Sequence, residues 1–138
     1  MAHPLIDTNV VIRYLVEDPH HAPAKFRGVF AFFAKLETGT LLVELPSLVV
    51  FETFFVLTRL YRVPATEAAQ RLQDLVSFQG LVMREKPLML ACLHLLQGQS
   101  IGLVDAYLLA WSQQHGVRGV YSYDTDLSKH GLKLLPVE

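Results

Sequence analysis

The chain has 138 residues, 51% hydrophobic and 18% charged, with a mean hydropathy of +0.31. That is the length of one domain and too apolar for intrinsic disorder, which needs low hydrophobicity and high net charge. With 12 Lys and Arg against 13 Asp and Glu the formal charge is -1, so the overall positive excess typical of tight nucleic-acid binders is absent.

In chain order, apolar or β-branched runs predict strands at 3–6, 41–45, 81–84, 119–123 and 132–135. Helical patterns fill the intervals at 10–16, 24–38, 47–61, 66–76, 88–97 and 103–115. Ser47 and Thr66 read as N-caps, Glu67 adds early negative charge, and Gly39 and Gly116 read as C-terminal stops. The longest apolar stretch, 41–58, is interrupted by Glu44, Pro46 and Glu52, so no membrane span is expected. The opening residues show no basic region followed by an apolar run, so no secretory signal and a cytoplasmic location are expected. The lone Cys92 lies in an apolar run and reads as a buried structural thiol. No repeat, low-complexity tract or linker divides the sequence, which predicts a single domain over 1–138. Strands joined by helical crossovers imply an α/β fold with a mostly parallel sheet, whose ligand site lies beyond the carboxyl ends of the strands.

Acidic residues fall at or near those ends. Asp7 follows the first strand directly; it reads equally well as a site carboxylate or, like Asn9, as a cap for the helix near residue 10. Glu52 has Leu48, Val49, Phe55 and Val56 as its helical neighbours, and a carboxylate on such a face needs a partner such as Arg59, an exit to solvent or a ligand. Asp105 has Ile101, Gly102, Leu108 and Leu109 around it and also sits in a first helical turn, where an anion is favoured. Asp124 and Asp126 follow the fourth strand, Asp124 being the closer to it; a capping turn is the plainer reading of Asp126. Several carboxylates converging on one pocket repel unless a cation neutralises them, and oxygen donors of this hardness suit Mg²⁺ or Mn²⁺. No cysteine pair or histidine spacing offers a zinc site. Arg13, Lys25 and Arg27 make one of several small local basic groups.

Four segments in order resemble the PIN-domain ribonucleases, and more closely the VapC-type toxins of toxin-antitoxin pairs: LIDTNVVIR at 5–13, PSLVVFE at 46–52, GLVDAYLLA at 102–110 and YSYDTDL at 121–127. The resemblance implies a three-layer α/β/α sandwich with Asp7, Glu52, Asp105 and Asp124 as catalytic and metal-holding acids. Asp126 shares or replaces the role of Asp124, Asn9 orients Asp7 and a bound water, and Ser122 stands where the family often has Thr. Leu127 departs from the Phe common in the last block. The implied activity is Mg²⁺- or Mn²⁺-dependent hydrolysis of RNA. The implied partners are the RNA substrate, a cognate antitoxin and a second copy of the chain in a homodimer. Arg13, one helical turn from Asn9, is a candidate to meet phosphate or a partner's acids, or to form an ordinary salt bridge.

Two other classes compete. A haloacid-dehalogenase-like phosphatase also begins with an Asp at the end of the first strand, but wants a second acid where this chain has Asn9. A non-catalytic PIN or receiver-like binding module needs no turnover; the receiver version wants a Lys facing an acidic pocket, for which Lys86 is the candidate.

Overall fold

Seven α-helices and four short strands follow one another in the computed structural model, which describes residues 2–138. The chain enters as an extended segment in which Leu5 forms a single parallel bridge to Glu44. Helix α1 (Thr8–Val16) follows at once, two residues earlier than predicted, because the Asp7 side chain accepts the Thr8 N–H and starts the helix there. The predicted helix over 24–38 is broken into a 3₁₀ turn at Ala24–Phe26 and helix α2 (Gly28–Thr38); glycine, the weakest helix former after proline, stands at the join. Gly39 ends α2 in the left-handed region, as its position in the sequence predicts.

Strand β1 (Val43–Glu44) leads through Pro46 into helix α3 (Ser47–Arg59), and Pro64 leads into helix α4 (Ala65–Val76). Ser47 and Thr66 are therefore not caps. The prolines hold the extended entry position, and the Pro46 carbonyl accepts the Val49 and Val50 N–H groups. Strand β2 (Leu81–Val82), helix α5 (Lys86–Gly98) and helix α6 (Leu103–His115) come next, with Gly116 closing α6 in the left-handed region. Strand β3 (Gly119–Tyr121), the short helix α7 (Asp126–Lys129) and strand β4 (Lys133–Leu135) complete the chain.

β1 pairs with β2 and β3 with β4, both in parallel, so the predicted strand direction holds. The ladders are shorter than the sequence suggests, and they form two separate two-stranded sheets. Ile6 donates to the Glu44 carbonyl and Glu44 donates to that of Pro4, which commits one edge of the entering segment to β1. Short parallel strands among helices make an α/β fold compatible with a three-layer α/β/α sandwich.

Most of the interior is one cluster in which α1, α3, α4, α5 and the β1–β2 ladder bury Val11, Val50, Leu57, Leu72, Leu81 and Leu93. Gly80 is indispensable to it: a Cβ there would lie 2.1 Å from the Leu41 carbonyl oxygen and 2.8 Å from the Leu36 Cα. A second, smaller cluster of Leu109, Leu127 and Leu132 ties β3, α7 and β4 to α6. Cys92 is free and fully buried, as expected, and burial pushes its thiol up to about 12. Among the described residues no helix is long and apolar enough to cross a membrane.

Candidate active site

Asp7 occupies both places the sequence offered it. It ends the entering segment and caps α1, with Oδ1 accepting the Thr8 N–H at 2.7 Å, while the carboxylate remains exposed. Beside it the Thr8 hydroxyl is buried and finds no hydrogen-bond partner among the described residues, an unusual state for a buried polar atom. Asn9 is exposed and makes no side-chain bond to Asp7, so the orienting role expected of it is not seen; it faces a different cleft, shared with Arg13. Arg13 itself pairs with Glu17 at 3.1 Å.

Glu52 corrects the expectation of a carboxylate on a buried apolar face. α3 buries Val50, Thr53, Phe54 and Leu57, whereas Leu48 is 78% exposed and Glu52 is exposed too. The helix is apolar around most of its circumference, and the stripe flanking Glu52 is the outer one. Arg59 does not compensate it; the guanidinium lies 4.6 Å from the centroid of the Phe55 ring.

Asp105 stands half-buried in the first turn of α6 and lines an open, polar cleft of about 580 Å³. Ser100, Asp126, Lys129 and His130 share that cleft. Asp126, not Asp124, is thus the acid brought to Asp105. Asp124 is used in the turn: its N–H donates to Ser122 Oγ and its Oδ1 accepts the Asp126 N–H, each at 2.9 Å. Asp126 pairs with Lys129 at 3.0 Å, an exposed contact of small energetic weight. His130, whose Nδ1 lies 2.9 Å from Gln99 Oε1, and Lys129 were not singled out as site residues from sequence. The three-residue spacing of Asp126 and Lys129 was the one available signal.

The four acids are not gathered at one point. Among the described residues no three of His, Cys, Asp and Glu stand close enough to hold a metal ion together. The reason is topological, since Asp7 follows the segment bridged to β1 while Asp124 and Asp126 follow β3, which belongs to the other ladder. The donor chemistry still fits a hard divalent cation, because Mg²⁺ is commonly held by one or two carboxylates together with waters and substrate phosphates. Asp105 and Asp126 on one cleft meet that smaller requirement.

Lys86 does not face an acidic pocket, as a receiver-like reading requires. Its ammonium donates to the Phe78 and Leu81 carbonyls at 2.8 and 2.9 Å, and burial holds its pKa below the ordinary lysine value.

The PIN domain family matches residues 5–132, nearly the whole chain, and the protein belongs to that family. A PIN domain generally implies nuclease activity on nucleic acids, and such nucleases generally use divalent metals such as Mg²⁺. No curated protein matches the chain.

Proposed function

We propose that this protein is a metal-dependent endoribonuclease acting as the toxin of a toxin-antitoxin pair. The observation that carries the reading is the family match over 5–132, which encloses Asp7, Glu52, Asp105, Asp124 and Asp126 in order. Asp105 and Asp126 would hold Mg²⁺ or Mn²⁺, with Asp7, Glu52 and Asp124 completing the acidic surface toward the substrate. A bound ion there would supply a water of lowered pKa and neutralise charge on the phosphate. Lys129 balances the charge of Asp126 in the free protein, and His130, beside Gln99, lines the same cleft. No protein nucleophile is required, so Ser122 keeps the turn role its bond with Asp124 gives it.

An antitoxin and a second copy of the chain belong to the same proposal. Val104, Leu108 and Trp111 lie one helical turn apart on α6 and are 61%, 37% and 38% exposed, an apolar stripe of the kind that protein interfaces use.

The test is cleavage of end-labelled RNA with Mn²⁺ and with EDTA, by wild-type protein and by Glu52→Gln. The proposal expects cleavage that EDTA stops and that Glu52→Gln abolishes while the circular dichroism spectrum is unchanged. A Glu52→Gln protein of full activity removes Glu52 from the site, and cleavage indifferent to EDTA removes the metal.

A further inference from the structure

The polar cleft at the head of α6 carries two carboxylates and one ammonium, those of Asp105, Asp126 and Lys129. Asp105 makes no ion pair among the described residues, whereas Asp126 Oδ1 accepts from Lys129 Nζ at 3.0 Å. Both members of that pair belong to α7 and stand at the two ends of its single turn. Leu127, only 2% exposed, anchors the turn in the small cluster with Leu109 and Leu132, which leaves Asp126 and Lys129 to the cleft. No arginine and no other lysine lines it among the described residues. With Lys129 in place the three charges leave one net negative charge, where the carboxylates alone would leave two.

An ammonium and a hard divalent cation seek the same atom, a carboxylate oxygen. Brought together on Asp126 they repel, and the double charge of the metal doubles the repulsion that two single charges would feel. We infer that Lys129 is a built-in competitor of the divalent ion: its ammonium holds Asp126 in the free protein, has to leave the carboxylate for a metal to be held there, and so raises the metal concentration that the cleft requires. The inference rests on the metal-dependent reading of the cleft and deepens it by naming what regulates it. The weakness of the pair is part of the device. Its side chains are 73% and 63% exposed, so the contact is worth little in water and the ammonium yields to a divalent ion instead of excluding it. The flexible four-carbon stem lets Lys129 move aside while Leu127 keeps α7 in place.

Lys129→Gln removes the charge at an exposed position, so the melting temperature should stay within a few degrees of wild type. Lys129→Arg keeps a cation within reach of Asp126. Lys35→Gln removes the same charge from an exposed position on α2, outside the cleft, and controls for net charge.

Mn²⁺ binding to the RNA-free protein is measured by loss of the free-ion electron paramagnetic resonance signal, at low and at high ionic strength. Lys129→Gln should bind Mn²⁺ about fivefold more tightly than wild type, and high salt should shrink the gain because it screens the repulsion. Lys129→Arg and Lys35→Gln should bind as wild type does. Unchanged affinity in Lys129→Gln overturns the inference, as does an equal gain in Lys35→Gln, which would make the effect one of overall charge. If Lys129→Gln weakens RNA binding in EDTA and leaves Mn²⁺ binding alone, Lys129 is a substrate contact and not a competitor. Asp105→Asn and Asp126→Asn keep the two readings apart. If both bind Mn²⁺ as wild type does, the metal is held elsewhere and both readings fail; if both lose Mn²⁺ while Lys129→Gln binds it as wild type does, the competitor alone fails.

Discussion

Asp7 and Glu52 ride on helices whose inner faces belong to the main core, α1 through Val11 and Ile12 and α3 through Val50, Phe54 and Leu57. Asp124 and Asp126 ride on β3, α7 and β4, which Leu109, Leu127 and Leu132 hold to α6. The difference lies in how much apolar surface fixes each half of the acidic set. Segments with few buried contacts open at lower free energy than the global unfolding of the fold, so the second half is the one whose placement local change reaches first. Asp105 sits between the two, its helix contributing Leu103 and Ala106 to the large cluster and Leu109 to the small one.

The sharpest way to break the first region is Gly80→Ala. With a Cβ 2.1 Å from a backbone oxygen, the loop before β2 must shift away from Leu36 and Leu41, and the cost should be about 3 kcal/mol or more. Urea unfolding reads it as a fall in midpoint with little change in slope. Leu132→Ala should cost about 2 kcal/mol, near the low end for a buried leucine because its cluster is small. Hydrogen exchange should localise that loss: amides of 119–135 become faster while those of α3 and α4 keep wild-type rates. Uniform acceleration would mean that the two regions unfold as one unit. The effect that is absent at neutral pH and develops only in alkali concerns Cys92 in the main core. The unfolded thiol loses its proton near 9.0 and the folded one near 12, so the folded state holds the proton more tightly. The stability this contributes is complete below 9.0 and is lost as pH rises toward 12. Cys92→Ala should flatten that part of the stability profile, and an unchanged slope would assign it to other groups.

What could be read from sequence follows the same division. Helices α3 to α6, the parallel sense of the strands and the two glycine stops are set by local pattern and capping, and they stand where the residues put them. Placement of Asp7 at the end of the first segment and of Asp105 in a first turn was legible for the same reason. The orientation of Glu52 was not, because a helix apolar on several sides does not announce which stripe is buried; Phe51 and Phe55 on its outer side are only half-buried. Asp126 joining Asp105 in place of Asp124 depends on a serine turn at Ser122 followed by an Asx turn at Asp124, whose bonds hinge on side-chain rotation. The division of the strands into two ladders is a matter of long-range pairing, on which period and propensity are silent.

The central claim is that acids on both regions serve one nuclease site, and Asp105, packed between the regions, tests it most directly. Cleavage of end-labelled single-stranded RNA in Mn²⁺ should proceed with wild-type protein and vanish with Asp105→Asn, whose melting temperature stays within a few degrees of wild type. Wild-type cleavage by Asp105→Asn would contradict the account.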